Sequence, residues 1–375
     1  MGYSEGALKP RNPTFSDVAR AAGVSVATVS RVASHTAYVS PDVERRVRAA
    51  AETIGVSLEK RNGSRLIAFI LGNRSLLHPF HSHVLTAAES YCADKDYNLV
   101  FFPMHYSVNA PAVQLHVPRI FERGDLIDGL IVSGVNSNNL LEVLKQVRRP
   151  FAVYGDTVEG PWTPGKYDVV WVDDITGAYD LTRFLQNEGH SRIWYVANTR
   201  QTWFARRLQG YRAAMNDAGL QPLISSLDSN NEHEVGLLGT KDLLRRGCAL
   251  DSIFGGSDAV CHGVYTALRD AGLSVPKDVS VVGFNDTPEA NLLHPALTTV
   301  RAFPEILGRM LAEMVMSRIN DPGLSPQDRV ISTQVIKRES SRSIGSIHSA
   351  RADDGTEPVQ AVLKIDQDGS AGSVR

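Results

Sequence analysis

Thr14-Phe-Ser-Asp-Val-Ala-Arg-Ala-Ala-Gly-Val-Ser-Val-Ala-Thr-Val-Ser-Arg-Val32 reads as two short helices around a glycine corner. Thr14 can cap the first helix, with Asp17 three residues on, close to a capping box. Phe15, Val18, Ala19 and Ala22 fall on one face. Gly23 permits the positive φ of a tight turn. Ser25 can cap a second helix, in which Val29 and Val32 face inward while Val26, Ala27, Ser30 and Arg31 face out. The spacing Ala19-x3-Gly23-x5-Val29 is that of a helix-turn-helix: a small residue where helices cross, a turn glycine and a branched anchor. Such a second helix has the width of a DNA major groove and presents its N-terminal residues to base edges. Arg31 can donate two hydrogen bonds to a guanine, and Val26 and Ala27 can meet thymine methyls. Ser25, Thr28, Ser30 and Tyr38 are the remaining candidate DNA contacts, with Thr28, Ser30 and the helix N-termini suited to phosphates.

Outward from this stretch, Ser40-Pro41 opens a third helix, with Val43, Val47, Ala50, Ala51 and Ile54 inward and Gly55 as its stop. Within its basic run Arg45-Arg-Val-Arg48, a solvated face is the reading for Arg45, and Arg46 and Arg48 are left open between that and phosphate contacts. Residues 9–65 carry an excess of five positive charges, while the whole 375-residue chain has a net charge of −2. A basic module on an acidic body points to a polyanion partner for the first sixty residues. Residues 1–12 and 341–375 have the composition of disordered ends, and 57–65 that of a short linker.

The body between 66 and 340 has a different rhythm. Apolar runs such as Leu66-Ile-Ala-Phe-Ile-Leu71, Leu99-Val-Phe-Phe102, Gly129-Leu-Ile-Val132, Phe151-Ala-Val-Tyr154, Val169-Val-Trp-Val172, Ile193-Trp-Tyr-Val-Ala197 and Val279-Ser-Val-Val-Gly-Phe284 alternate with segments of helical period. Continuous apolar strands between helices mean parallel sheets covered on both faces, and their length implies two doubly wound α/β subdomains. Ligands of such sheets bind at the carboxyl ends of the strands. No apolar run approaches the roughly 18 residues of a membrane span. The polar start lacks the core of a secretory signal, and Cys92, Cys248 and Cys261 are scattered, so a reducing cytoplasm is the expected location and no membrane partner is implied.

The quoted stretch, followed by Val39-Ser40, resembles the DNA-binding headpiece of the LacI/GalR transcriptional regulators. Glu188-Gly-His190, Arg207-Leu-Gln-Gly-Tyr211, Val275-Pro-Lys-Asp-Val-Ser-Val-Val-Gly-Phe-Asn-Asp286 and Pro295-Ala-Leu-Thr-Thr-Val300 extend the resemblance to about residue 340 in family order. It implies a headpiece at 13–56 and a periplasmic-binding-protein-like core of two Rossmann-like subdomains joined by three crossovers. The N-subdomain is expected at about 66–168 with a helix at 301–320, and the C-subdomain at about 169–297 with a strand at 329–338. The implied partners are double-stranded operator DNA, a second copy of the chain (a tetramer is also open) and a small-molecule effector, sugar-like by family precedent. Repression is the more common output of the family. The family's base-reading positions fall on Val26, Ala27 and Arg31. Its effector positions fall on Phe80 and His81 in His78-Pro-Phe-His81, on Arg207, on Asp258 in Ser257-Asp258 and on Asn285, with Trp203 beside them. Asn285 stands where the family commonly has an aspartate. Gly55-Val-Ser-Leu-Glu-Lys-Arg-Asn-Gly-Ser-Arg65 lacks the family's Pro-Asn-x-x-Ala-Arg-x-Leu hinge segment. Leu58 is then either a minor-groove wedge or a cover for the headpiece core.

No nucleophile elbow, phosphate loop or dinucleotide glycine motif is present, so neither an enzyme nor a cofactor is implied. His78, His81 and His83 do not have a zinc spacing and fit the mouth of a cleft or a dimer face better than a metal site. A competing reading is a cytoplasmic small-molecule-binding protein or enzyme whose N-terminal helices serve assembly.

Overall fold

The computed structural model describes residues 14–34, 38–56, 58, 65–75, 78–123, 126–160 and 162–344. The expected disorder of 1–12 and nearly all of the linker and tail lie outside these residues. Residues 341–344, assigned from composition to the tail, are instead docked on the core: Arg342 O accepts from His190 Nε2 at 2.9 Å, and Ile344 N donates to Glu188 O.

The N-terminal unit holds three helices, α1 (Phe15–Ala22), α2 (Val26–Ser34) and α3 (Pro41–Ile54). Asp17 accepts from both the backbone N–H and the hydroxyl of Thr14, which fixes the start of α1. Gly23 takes φ 64°, left-handed backbone that suits glycine, and turns the chain into α2. Val18, Ala19, Ala22, Val29, Val32, Val47 and Ala51 form one small core. Leu58 completes it at 7% exposure, so of its two expected roles it takes that of a cover here. Arg46 reaches back to Ala22 O at 2.5 Å and caps α1 with a cation. Arg45 and Arg48 pair with Asp42 and Glu44 on the surface.

Two six-stranded sheets follow. The first runs, edge to edge, Asp328–Ile331, Asp168–Val172, Phe151–Tyr154, Gly129–Gly134, Leu66–Gly72, Asn98–Met104, and every neighbouring pair is parallel. The second runs Gln334–Ile336, Thr298–Arg301, Ser280–Asn285, Ser252–Gly255, Ile193–Ala197, Leu223–Ser226, parallel except for the antiparallel Gln334–Ile336 edge. Central strands are buried along their whole length, as sheets covered on both faces require.

Two assignments change. Asp168–Val172 was expected to open the C-subdomain, yet it lies in the first sheet; an apolar run alone does not reveal which sheet it joins. The single strand expected at 329–338 is two, one in each sheet. The lobes are thus linked three times: from Val172 into the helix Asp174–Asn187, from Arg301 into the helix Pro304–Asn320, and between Ile331 and Gln334. Asp286, with its side chain buried, pairs with Arg301 and Arg338 beside these crossovers, each at 2.6 Å.

Candidate functional site

Two surfaces gather the expected functional residues. On the headpiece, α2 begins with Ser25 Oγ accepting from Thr28 N at 3.1 Å and bonding Thr28 Oγ1 at 2.9 Å. That cap aligns the first turn outward. Val26 is 47% exposed, Ala27 and Arg31 are exposed, and Thr28 and Ser30 are half-buried on the flank, while Val29 and Val32 are buried beneath. Tyr38 stands 90% exposed beyond the helix. An apolar side chain left in water on a helix with a buried opposite face is a surface made for contact.

The second surface lies between the lobes, at the carboxyl ends of the strands. Its centre is Arg207 on the helix Thr202–Asp217. At Gly210 an added methyl would come within 2.0 Å of Ile175 O, so the absence of a side chain lets this helix lie against Asp174–Asn187. That approach brings Arg207 Nε within 2.9 Å of Asp174 Oδ1. Nη1 donates to Gly256 O at 2.7 Å and Nη2 to Asn285 Oδ1 at 3.0 Å, with the guanidinium 3.9 Å from the Phe284 ring centre. Asn285 holds φ 112°, a strained conformation for a non-glycine residue, which delivers its amide to this point.

Phe80, His81, Trp203, Arg207 and Asn285 all line one cavity. Phe80 lies 5.8 Å from Tyr154, and His81 bonds Ser133 at 3.3 Å. Burial, then the neighbouring His78 and Arg74, hold His81 well below the ordinary histidine range, so it is neutral. Asp258 is placed differently from the expectation. Its carboxylate faces away from the cavity, taking bonds from Thr299 Oγ1 at 2.6 Å and from the Thr287 amide at 2.7 Å. Burial pushes its pKa up to about 7 against those bonds. It braces the ends of two strands behind the cleft.

Several cleft residues were not read from the sequence: Arg74, His78, Tyr154, Thr157 and Glu232 also line the cavity. Burial raises the pKa of Glu232, but bonds from His78 and Ser257 and the charge of Arg74 outweigh it and hold the carboxylate well below its usual range. Arg74 Nη2 lies 3.2 Å from Glu232, and its guanidinium sits 4.4 Å over the Trp203 ring, so one side chain from the first lobe grips two from the second. Deeper in, Arg206 Nε and Asp156 Oδ1 face each other at 2.8 Å without hydrogen-bond alignment. These side chains leave a cavity of about 30 Å3, room for one water molecule. Arg74 Nε, His78 Nδ1 and Asp174 Oδ2 are buried there without a hydrogen-bond partner, which marks the cleft as a site for a polar molecule. His83 points to solvent, and no group of three or more His, Cys, Asp or Glu among the described residues is arranged to hold a metal.

Compared with known proteins, residues 14–56 match the family of bacterial regulatory proteins named for lacI, and residues 182–341 match the periplasmic binding protein-like domain. The ribose operon repressor of Escherichia coli K12 is 30% identical over 339 residues, covering 87% of this chain and 99% of the relative. The chain belongs to the LacI family. It is a sequence-specific DNA-binding transcriptional regulator that answers to a small-molecule effector. A repressor named PurR from Glaesserella parasuis is 28% identical over 328 residues, covering 84% of this chain and 93% of that one. Among solved LacI-family structures, a CelR–cellobiose complex aligns over 88% of this chain and 100% of its own, at 26% identity and TM-score 0.63. A lac repressor dimer on its operator with ONPF aligns over the same shares at 21% identity and TM-score 0.65, a likeness of fold. No described helix is long and apolar enough to cross a membrane.

Proposed function

We propose that this LacI-family chain is a cytoplasmic repressor that grips a near-palindromic operator as a homodimer and is governed by a sugar or sugar derivative held between its lobes. The observation that carries the reading is the outward face of α2. Val26, Ala27 and Arg31 are exposed there while the same helix buries Val29 and Val32. A two-fold dimer sets two such helices about 34 Å apart, one turn of DNA, which is what a palindrome presents. Arg31 reads a guanine, Val26 and Ala27 exclude bases without a matching apolar edge, and Ser25, Thr28, Ser30 and Tyr38 hold the backbone.

In the cleft, Arg207 and Asn285 offer a planar donor fork and an amide to hydroxyl groups, with Phe80 as a wall for a ring and His81 and Trp203 beside it. Relatives named for ribose and a structure with cellobiose support carbohydrate as the effector class. Asn285 recognises hydroxyls without adding a charge, which favours a neutral ligand. Enrichment of binding sites from random duplexes tests the DNA half. The expected outcome is a two-fold symmetric consensus for the full chain, and loss of preference at one position of each half-site in Arg31→Ala. An unchanged consensus in that variant overturns the base-reader assignment.

A further inference from the structure

Beside the cramped inner cavity lies a second, open one of about 810 Å3. Phe101, His105, Tyr106, Glu159, Gln201 and Asn230 line it, from the carboxyl end of the Asn98–Met104 strand on one lobe and the loops before two helices on the other. Arg74 and Trp203 border both cavities. They are the partition: the Arg74 guanidinium lies on the Trp203 ring and is tied to Glu232.

We propose that the two cavities form one binding site, and that the effector is a neutral carbohydrate of at least two units whose second unit occupies the outer cavity. The inference rests on the carbohydrate reading of the inner cleft and deepens it. Three observations support it. Ligand sites span about 300–1,000 Å3, a range that contains the outer cavity and excludes the inner one. The outer lining mixes the rings of Phe101 and Tyr106 with the amides of Gln201 and Asn230, the pairing that receives the C–H face of a sugar and its hydroxyls. Gln201 donates to Asn230 Oδ1 at 3.1 Å, while its own Oε1 is buried with no partner and is an acceptor waiting for a hydroxyl. Charge argues against a phosphorylated ligand: among the described lining residues Arg74 is already committed to Glu232, and Glu159 repels an anion. When Arg74 swings off Trp203, the partition opens and the indole face becomes a stacking surface at the junction of the two units.

The test is calorimetric titration of the full-length protein with cellobiose, maltose, sucrose and lactose, and with glucose, galactose, fructose and ribose. At least one disaccharide is expected to bind tenfold or more tightly than its constituent monosaccharides. Gln201→Ala with Asn230→Ala, two changes at the edge of the outer cavity, is expected to weaken that disaccharide fivefold or more and leave monosaccharide binding within twofold. Arg207→Ala is expected to weaken both. A monosaccharide that binds as tightly as any disaccharide, or a double variant that changes neither or both equally, overturns the two-unit site while the carbohydrate reading stands. Binding by no sugar of either size overturns that reading and the inference with it.

Discussion

The outward face of α2 and the floor of the cleft are both contact surfaces, but one is bare and the other is crowded. On α2, Val26 and Arg31 extend into water, and the helix is held from behind by Val29 and Val32. In the cleft, Arg207 is 3% exposed and bonded by all three of its nitrogens, and Arg74 and Arg206 reach across to the carboxylates of the opposite lobe. The difference teaches where each surface keeps its energy. A bare face contributes nothing to folding and all of its contacts to binding. A crowded one contributes to the fold until something displaces it.

The sharpest way to break this contrast is Asp174→Ala. It strands the buried Arg207 charge, and removing one partner of a buried pair costs about 3–5 kcal/mol. A large fall in the urea midpoint is expected; an unchanged midpoint means that the cleft does not support the fold. Arg31→Ala is the counterpart on the bare face. A bidentate base contact is worth about 1–3 kcal/mol, so specific affinity is expected to fall some tenfold to a hundredfold, measured by fluorescence anisotropy on the selected site, with the urea midpoint unmoved. A shift in that midpoint merges the two regions.

A third test belongs to the crowded region alone. The folded pKa of Asp258 is raised to about 7, above its unfolded value near 3.9. The folded state therefore holds this proton more tightly. Its stabilising contribution is full below about pH 4 and is lost as pH climbs through 7. Stability is expected to fall across that window with a slope approaching about 1.4 kcal/mol per pH unit, and Asp258→Asn is expected to flatten it. A wild-type slope that persists in the variant refutes the assignment. The smallest effect expected is Ser25→Ala, which removes the cap of α2 and costs about 1 kcal/mol, visible as a modest loss of headpiece helicity on heating.

Legibility in the sequence followed the range of the contacts. The headpiece was readable because its caps, turn and buried face are spelled within forty consecutive residues. What escaped there was Arg46, whose partner carbonyl is 24 residues away and carries no side-chain signature. In the core the seven long apolar runs announced their strands, while Leu223–Ser226 and Ser252–Gly255 are too short and polar to stand out. Asp168–Val172 showed that it was a strand but not which lobe it served. The cleft residues near family motifs were placed correctly in the cavity, except Asp258, where position after a strand says nothing of which way the carboxylate turns. Glu232 escaped because an acid in the first turn of a helix already has an ordinary reason to be there.

Arg207 already possesses, from Asp174, Gly256 and Asn285, what a visiting hydroxyl would offer it. An incoming molecule must therefore outcompete a tethered antagonist made of the protein's own atoms. Its apparent affinity is scaled down by the fraction of time those atoms let go. A sensor built in this way has a threshold: it disregards traces of its metabolite and responds once supply is ample.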